Sequence, residues 1–108
     1  MIRVVDVHVH YAIMKFGTPD HCRRLAEMAK GARFNVRNEV VEIEKVILVP
    51  SFPCHSDKCG DAFYDNVKVI KENPDLFATW GEVDPNYCTD PVKELEKQYE
   101  LGIVGIKL

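Results

Sequence analysis

Ile2-Arg3-Val4-Val5-Asp6-Val7-His8 is the stretch on which the reading of this fold turns. Its β-branched residues run almost without interruption, as they do in strands buried on both faces of an all-parallel sheet. It therefore reads as a central or barrel strand, with Val9 and His10 at its carboxyl end. Outward from it, short β-branched runs alternate with longer amphipathic stretches, the pattern of βαβ units. Further strands are predicted at 45–49, closed by Pro50, at 76–83, closed by Asp84-Pro85, and at 103–108.

Helices are predicted between them. The first starts with Thr18 as N-cap, Pro19 at the first helical position and Asp20 in the first turn, residues that favour a helix start through capping, a fixed φ and the helix dipole. Leu25, Met28 and Ala29 form its buried stripe, Gly31 lies inside or at its end, and 34–43 includes room for a second helical piece. The next helix has apolar points at Ala62, Phe63, Val67 and Ile70 and stops at Asn73-Pro74, because proline cannot continue it. A third is capped by Asp90, opens on Pro91, turns Leu95 and Tyr99 inward and ends before Gly102. The expected fold class is therefore α/β, built of parallel β/α repeats. About four strands in this length correspond to half of a TIM (β/α)8 barrel, which takes roughly 250 residues when complete.

A chain of 108 residues suffices for one domain with a core. The apolar fraction of 46% and charged fraction of 29% lack the polar bias of disorder. Net charge is -3, and 14 Lys and Arg residues are scattered among 17 acids without a basic stripe, which argues against nucleic-acid and anionic-membrane partners. No apolar run approaches the ~18 residues of a spanning helix and no secretion signal opens the chain, so the expected compartment is the cytoplasm. Cys22, Cys54, Cys59 and Cys88 are then expected as reduced thiols. Cys54, His55 and Cys59 gather ligand types within one short loop, yet the paired C-x2-C units of structural zinc sites are missing.

His8 and His10 are the candidates for carrying the chemistry. Residues at i and i+2 on a strand project to one side, and barrel active sites are built at carboxyl strand ends. Two neighbouring imidazoles there suit a divalent metal, with zinc expected first and manganese or iron as alternatives. Asp6 shares their alternation and is the candidate for a supporting partner beneath them. The plainer reading is a pair of solvated polar residues at a strand end. Trp80 and Phe77 read as core, and Tyr11 and Phe16 as either packing or the mouth of a substrate site. His21 reads as a surface or capping residue, His55 as a loop residue either on the side where substrate enters or simply solvated, and Glu82 and Asp84 as acids level with the metal site or as ordinary turn residues.

Val5-Asp6-Val7-His8-Val9-His10 resembles the H-x-H signature on the first strand of the amidohydrolase superfamily. Asn73-Pro74-Asp75-Leu76-Phe77, followed by Val83-Asp84-Pro85, resembles a stretch of the amidohydrolase-related group often called amidohydrolase 2. Leu101-Gly102-Ile103-Val104-Gly105-Ile106-Lys107-Leu108 is similar to that group's fourth-strand segment, G-x-x-G-I-K-L-H. The resemblance implies a metal-dependent hydrolase acting on C–N, C–O or C–C bonds of a small molecule, or decarboxylating one, with His8 and His10 as first-strand ligands. It implies that the chain is the amino-terminal half of such an enzyme, an incomplete domain over 1–108 that is inactive until further strands supply the remaining ligands. Lys107 is, on the same resemblance, a candidate for a carboxylated bridge between two metals; its other readings are a contact for an acidic substrate or a residue that merely lines the barrel.

Two alternatives stay open. A phosphoesterase or deoxyribonuclease-like barrel also begins D-x-H-x-H, although residues 46–50 and 105–108 do not match its other strands. A non-catalytic half-barrel is the other, in which two copies pair open sheet edges as a homodimer.

Overall fold

Arg33–Val36 and Glu39–Val49, called β2 and β3, form an antiparallel hairpin at the place where the sequence leaves room for a helical piece. The two residues between them, Arg37 at φ 49° and Asn38 at φ 66°, both occupy the left-handed region. A two-residue loop with both central residues left-handed is the turn whose twist matches a hairpin. Asparagine tolerates that conformation through its short polar side chain. Phe34 pairs with Val41, Val36 with Glu39, and Arg33 with Glu42. The last pair carries an ion pair at 3.0 Å.

The computed structural model describes residues 1–10, 20–50, 61–86 and 88–107, with the backbone alone at residues 10, 20–23, 25, 61 and 62. In chain order its elements are β1 (Ile2–His10), α1 (Asp20–Ala29), β2, β3, α2 (Asp61–Glu72), β4 (Phe77–Thr79) and α3 (Pro91–Glu100). β3 is the spine of a four-stranded sheet. β1 lies parallel along one side of it, from Ile2 opposite Val41 to His10 opposite Val49. The other side is shared, β2 pairing antiparallel with the first part of β3 and β4 pairing parallel with Val46, Ile47 and Leu48.

This mixed sheet overturns the expectation of parallel β/α repeats forming half of a TIM barrel. The hairpin puts an antiparallel strand where the sequence left room for a second helical piece, and the order β1-β3-β2 departs from that of a barrel. The other parallel strands are also reduced. The predicted strand at 76–83 shortens to Phe77–Thr79, and the one at 103–108 contributes a single parallel bridge, Ile106 to Gly81. The β-branched residues 103–106 do not continue as a ladder; Val104 and Ile106 are half exposed and lack the two-sided cover that such a strand requires.

The helix ends follow the sequence more closely. Gly31 at φ 69° turns the chain out of α1, and Gly102 at φ 87° turns it out of α3, donating its N–H to the Tyr99 carbonyl. Asp90 caps α3, its carboxylate accepting the Lys93 N–H at 3.1 Å, with Pro91 following. α2 stops before Asn73-Pro74. Thr18 and Pro19 lie outside the described residues.

The core sits on one face of the sheet, where Ala26 of α1 and Val69 of α2 pack on Val46, Leu48 and Phe77. Val9, Ala29, Ile43, Ile70 and Leu76 close around them. Each fully buried Leu or Phe contributes about 1.5–3 kcal/mol by leaving water. Met28 and Tyr99, both expected inside, are about three-quarters exposed, at 76% and 75%. In α3 the buried residue is Gln98. Among the described residues, no helix is long and apolar enough to cross a membrane.

Candidate functional site

Because β1, β3 and β4 run parallel, their carboxyl ends share one edge of the sheet. The Gly81–Ile106 bridge adds residues 105–107 to that edge, through hydrogen bonds from Gly81 N–H to Gly105 and from Lys107 N–H to Gly81, both 2.8 Å. His8, His10, Glu82 and Lys107 therefore belong to strand ends that point the same way.

β1 is not regular where it reaches this edge. Asp6 pairs with Val46 and Val9 with Leu48, so three steps along β1 face two along β3, and the extra residue falls at Val7-His8. A bulge leaves peptide groups without ladder partners. Side chains take them here: the Trp80 indole N–H donates to the Val7 carbonyl at 2.9 Å, and the Asp6 carboxylate accepts the His8 N–H at 3.1 Å.

The bulge changes how the candidate residues relate. Val46 and Leu48 are two apart on β3 and share a face, so Asp6 and Val9, their partners, share that face too. His8 falls within the irregular step, so simple alternation no longer relates Asp6 to it. The Asp6 carboxylate bonds the His8 backbone. His8 is exposed, and His10 takes its register opposite Val49, its side chain outside the described set.

Trp80 is not simply core. Its ring lies so close over Gly105 that a Cβ there would overlap it, and from that position the indole reaches the Val7 carbonyl. The ring thus joins the 103–107 segment to β1, on either side of β3. The glycine in Gly105-Ile106-Lys107 is needed to admit it, a requirement that appears only once the tertiary contact is known.

Glu82 is the second feature that sequence reasoning underweighted. It is only 7% exposed, and both of its peptide groups are held by Gln98, whose amide oxygen accepts the Glu82 N–H and whose amide nitrogen donates to the Glu82 carbonyl, each at 2.9 Å. Burial pushes the Glu82 carboxyl up to about 7; the Lys107 charge opposes the shift and Asp84 adds to it. An acid that titrates near neutrality can both give and take a proton at ordinary pH. Asp84 itself accepts the Asn86 N–H at 2.9 Å, which is turn chemistry.

Behind this edge, buried and half-buried polar groups bond across the elements. Tyr64 donates to Glu94 at 2.8 Å, and burial together with that bond raises its phenol to about 12. Glu94 in turn accepts from Gln98 at 3.2 Å. Asn66 donates to Thr79 at 3.1 Å. Phe77 is core, as expected.

Cys88 is disulfide-bonded, against the expectation of reduced thiols. Tyr11, Phe16, Cys54, His55 and Cys59 lie outside the described residues, and His21 is described in backbone only. Among the described residues no three His, Cys, Asp or Glu side chains gather into a metal-holding group. A separate groove of about 370 Å³ lies at the amino end of β4, lined by Lys30, Glu44, Glu72 and Asp75 among others. Set against protein-family models, curated proteins and solved structures, the chain matches none of them.

Proposed function

We propose that this chain contributes the first-strand metal-binding element of a metal-dependent hydrolase of the amidohydrolase kind, with His8 and His10 as ligands to a divalent ion, zinc first. The bulge at Val7-His8 carries the reading: it falls at the carboxyl end of a parallel strand, and both of its displaced peptide groups are held by side chains. Bulges recur beside active sites because they re-aim a side chain.

Imidazole nitrogen suits zinc, manganese or iron, and the H-x-H spacing offers two such donors from one strand. Catalytic zinc centres use three protein ligands, so the activity proposed for the described residues is metal binding, with turnover requiring a third ligand. When bound, the ion supplies a water of lowered pKa and polarises a carbonyl or related group. In this reading Glu82 holds or releases a proton near neutral pH, and Lys107 attracts an acidic group of a small-molecule substrate rather than bridging metals. The reaction class is hydrolysis of a C–N, C–O or C–C bond, or decarboxylation.

The test is metal content and affinity. Purified protein is expected to bind Zn²⁺, Mn²⁺ or Fe²⁺, and His8→Ala and His10→Ala are each expected to lose most of that affinity. Equal metal in all three proteins would remove the assigned ligands.

One observation favours a second reading, self-association. Among the described strands β1 pairs only with β3, and Ile2, Val5 and Val7 on it are about half exposed. A second copy adding along β1 would cover them. Sedimentation showing a monomer at high concentration would rule this out.

A further inference from the structure

Trp80 is the only tryptophan in the chain. Its indole N–H finds a backbone carbonyl as its hydrogen-bond partner. Here the carbonyl belongs to Val7, on the strand beyond β3, and it is the carbonyl of the bulge. The ring is fixed from the other side as well. It rests on Gly105, where any side chain would displace it, and the Trp80 backbone N–H donates to the Leu48 carbonyl at 3.0 Å. Gly105 is itself fixed, its carbonyl accepting the Gly81 N–H at 2.8 Å. The ring is therefore clamped between two backbone segments, and one of them precedes His8 directly.

We infer that Trp80 is a positioning residue for the metal site: through the Val7 carbonyl it sets the bulge that presents His8. The inference rests on the metal-binding reading above. A peptide plane joins the Val7 carbonyl to the His8 N–H. The indole bonds one end of that plane and the Asp6 carboxylate the other, so the plane cannot rotate without breaking a bond. The orientation of that plane sets where His8 leaves the strand. Trp80 acts here as an outer partner acts on a metal ligand, by orientation, and loss of such partners typically costs 10–100-fold in metal affinity.

The test compares the chain with its Trp80→Phe variant, which keeps an aromatic ring and removes the indole N–H donor. Zn²⁺ binding is measured by calorimetry, and fold by far-ultraviolet circular dichroism and amide exchange in β3. The expected result is metal binding weakened about tenfold or more, with β3 protection unchanged. Affinity within twofold of wild type, in a folded variant, overturns the positioning role and leaves the metal site standing. No binding by wild type removes the metal site and the positioning role together. Should Trp80→Phe fail to fold, the wild type still decides the matter through nuclear magnetic resonance. Its single indole N–H resonance is expected to shift as Zn²⁺ saturates the protein, and a resonance unmoved at saturation overturns the inference.

Discussion

The two halves of β3 do different work in one strand. Its first part finds its partner within a few residues, across the Arg37-Asn38 turn, and closes a hairpin that leaves Phe34, Val36 and Val40 nearly half exposed. Its second part pairs with β1 on one side and β4 on the other, and Val46, Leu48 and Val49 are buried. A short loop costs little entropy to close, so the hairpin can form with modest burial. Pairing distant segments must be repaid by a packed core, and a packed core holds side chains in fixed places. The candidate chemistry lies at the end of the packed half.

This contrast predicts unequal sensitivities. Leu48→Ala leaves a cavity beside Val46, Val69 and Phe77 and is expected to lower global stability by about 2–5 kcal/mol in denaturant titrations. Equal loss of exchange protection in the hairpin and in residues 46–49 would show that the two halves unfold as one unit.

The next largest effect follows the Glu82 carboxyl. Its pKa rises from 4.5 to about 7 on folding, so the folded chain keeps a proton that the unfolded chain releases. Stability is therefore expected to fall as pH climbs from about 4.5 to 7 and to level off above that. Glu82 accounts for roughly 2 kcal/mol of the fall, below the full conversion of the shift because solvent screens part of it. Glu82→Gln should remove that part of the slope. An unchanged profile would place the carboxyl in water.

The smallest effect belongs to the turn. Asn38 sits at φ 66°, and Asn38→Ala should cost about 1 kcal/mol, seen as faster amide exchange confined to β2 and the first part of β3. Asn38→Gly should cost less than the alanine change. If both variants spread their effect to Leu48, the hairpin is not the independent part that its geometry suggests.

What could be read in advance depended on whether the signal was local. Pro74, Asp90-Pro91 and Gly102 act within a turn of their own helix, and the ends of α2 and α3 lie where those residues put them. The hairpin was hidden because Arg37-Asn38 has no glycine to mark a left-handed turn, and residues 36–43 fit a helical period almost as well as a strand one. The bulge was hidden for a related reason: alternation along 2–10 looks regular until β3 is laid beside it. The H-x-H pair was visible from spacing alone, whereas the roles of Trp80 and Gln98 depend on partners far away along the chain. The expected half barrel failed because it assumed that every β-branched run joins a parallel ladder.

A lone tryptophan hydrogen-bonded to the β1 bulge also makes this protein its own optical reporter. Its emission follows the joint between β1 and the 103–107 segment, while ellipticity follows the helices. The two probes need not coincide on heating. A spectral shift that precedes the loss of ellipticity would mark the opening of that joint before the rest of the fold gives way.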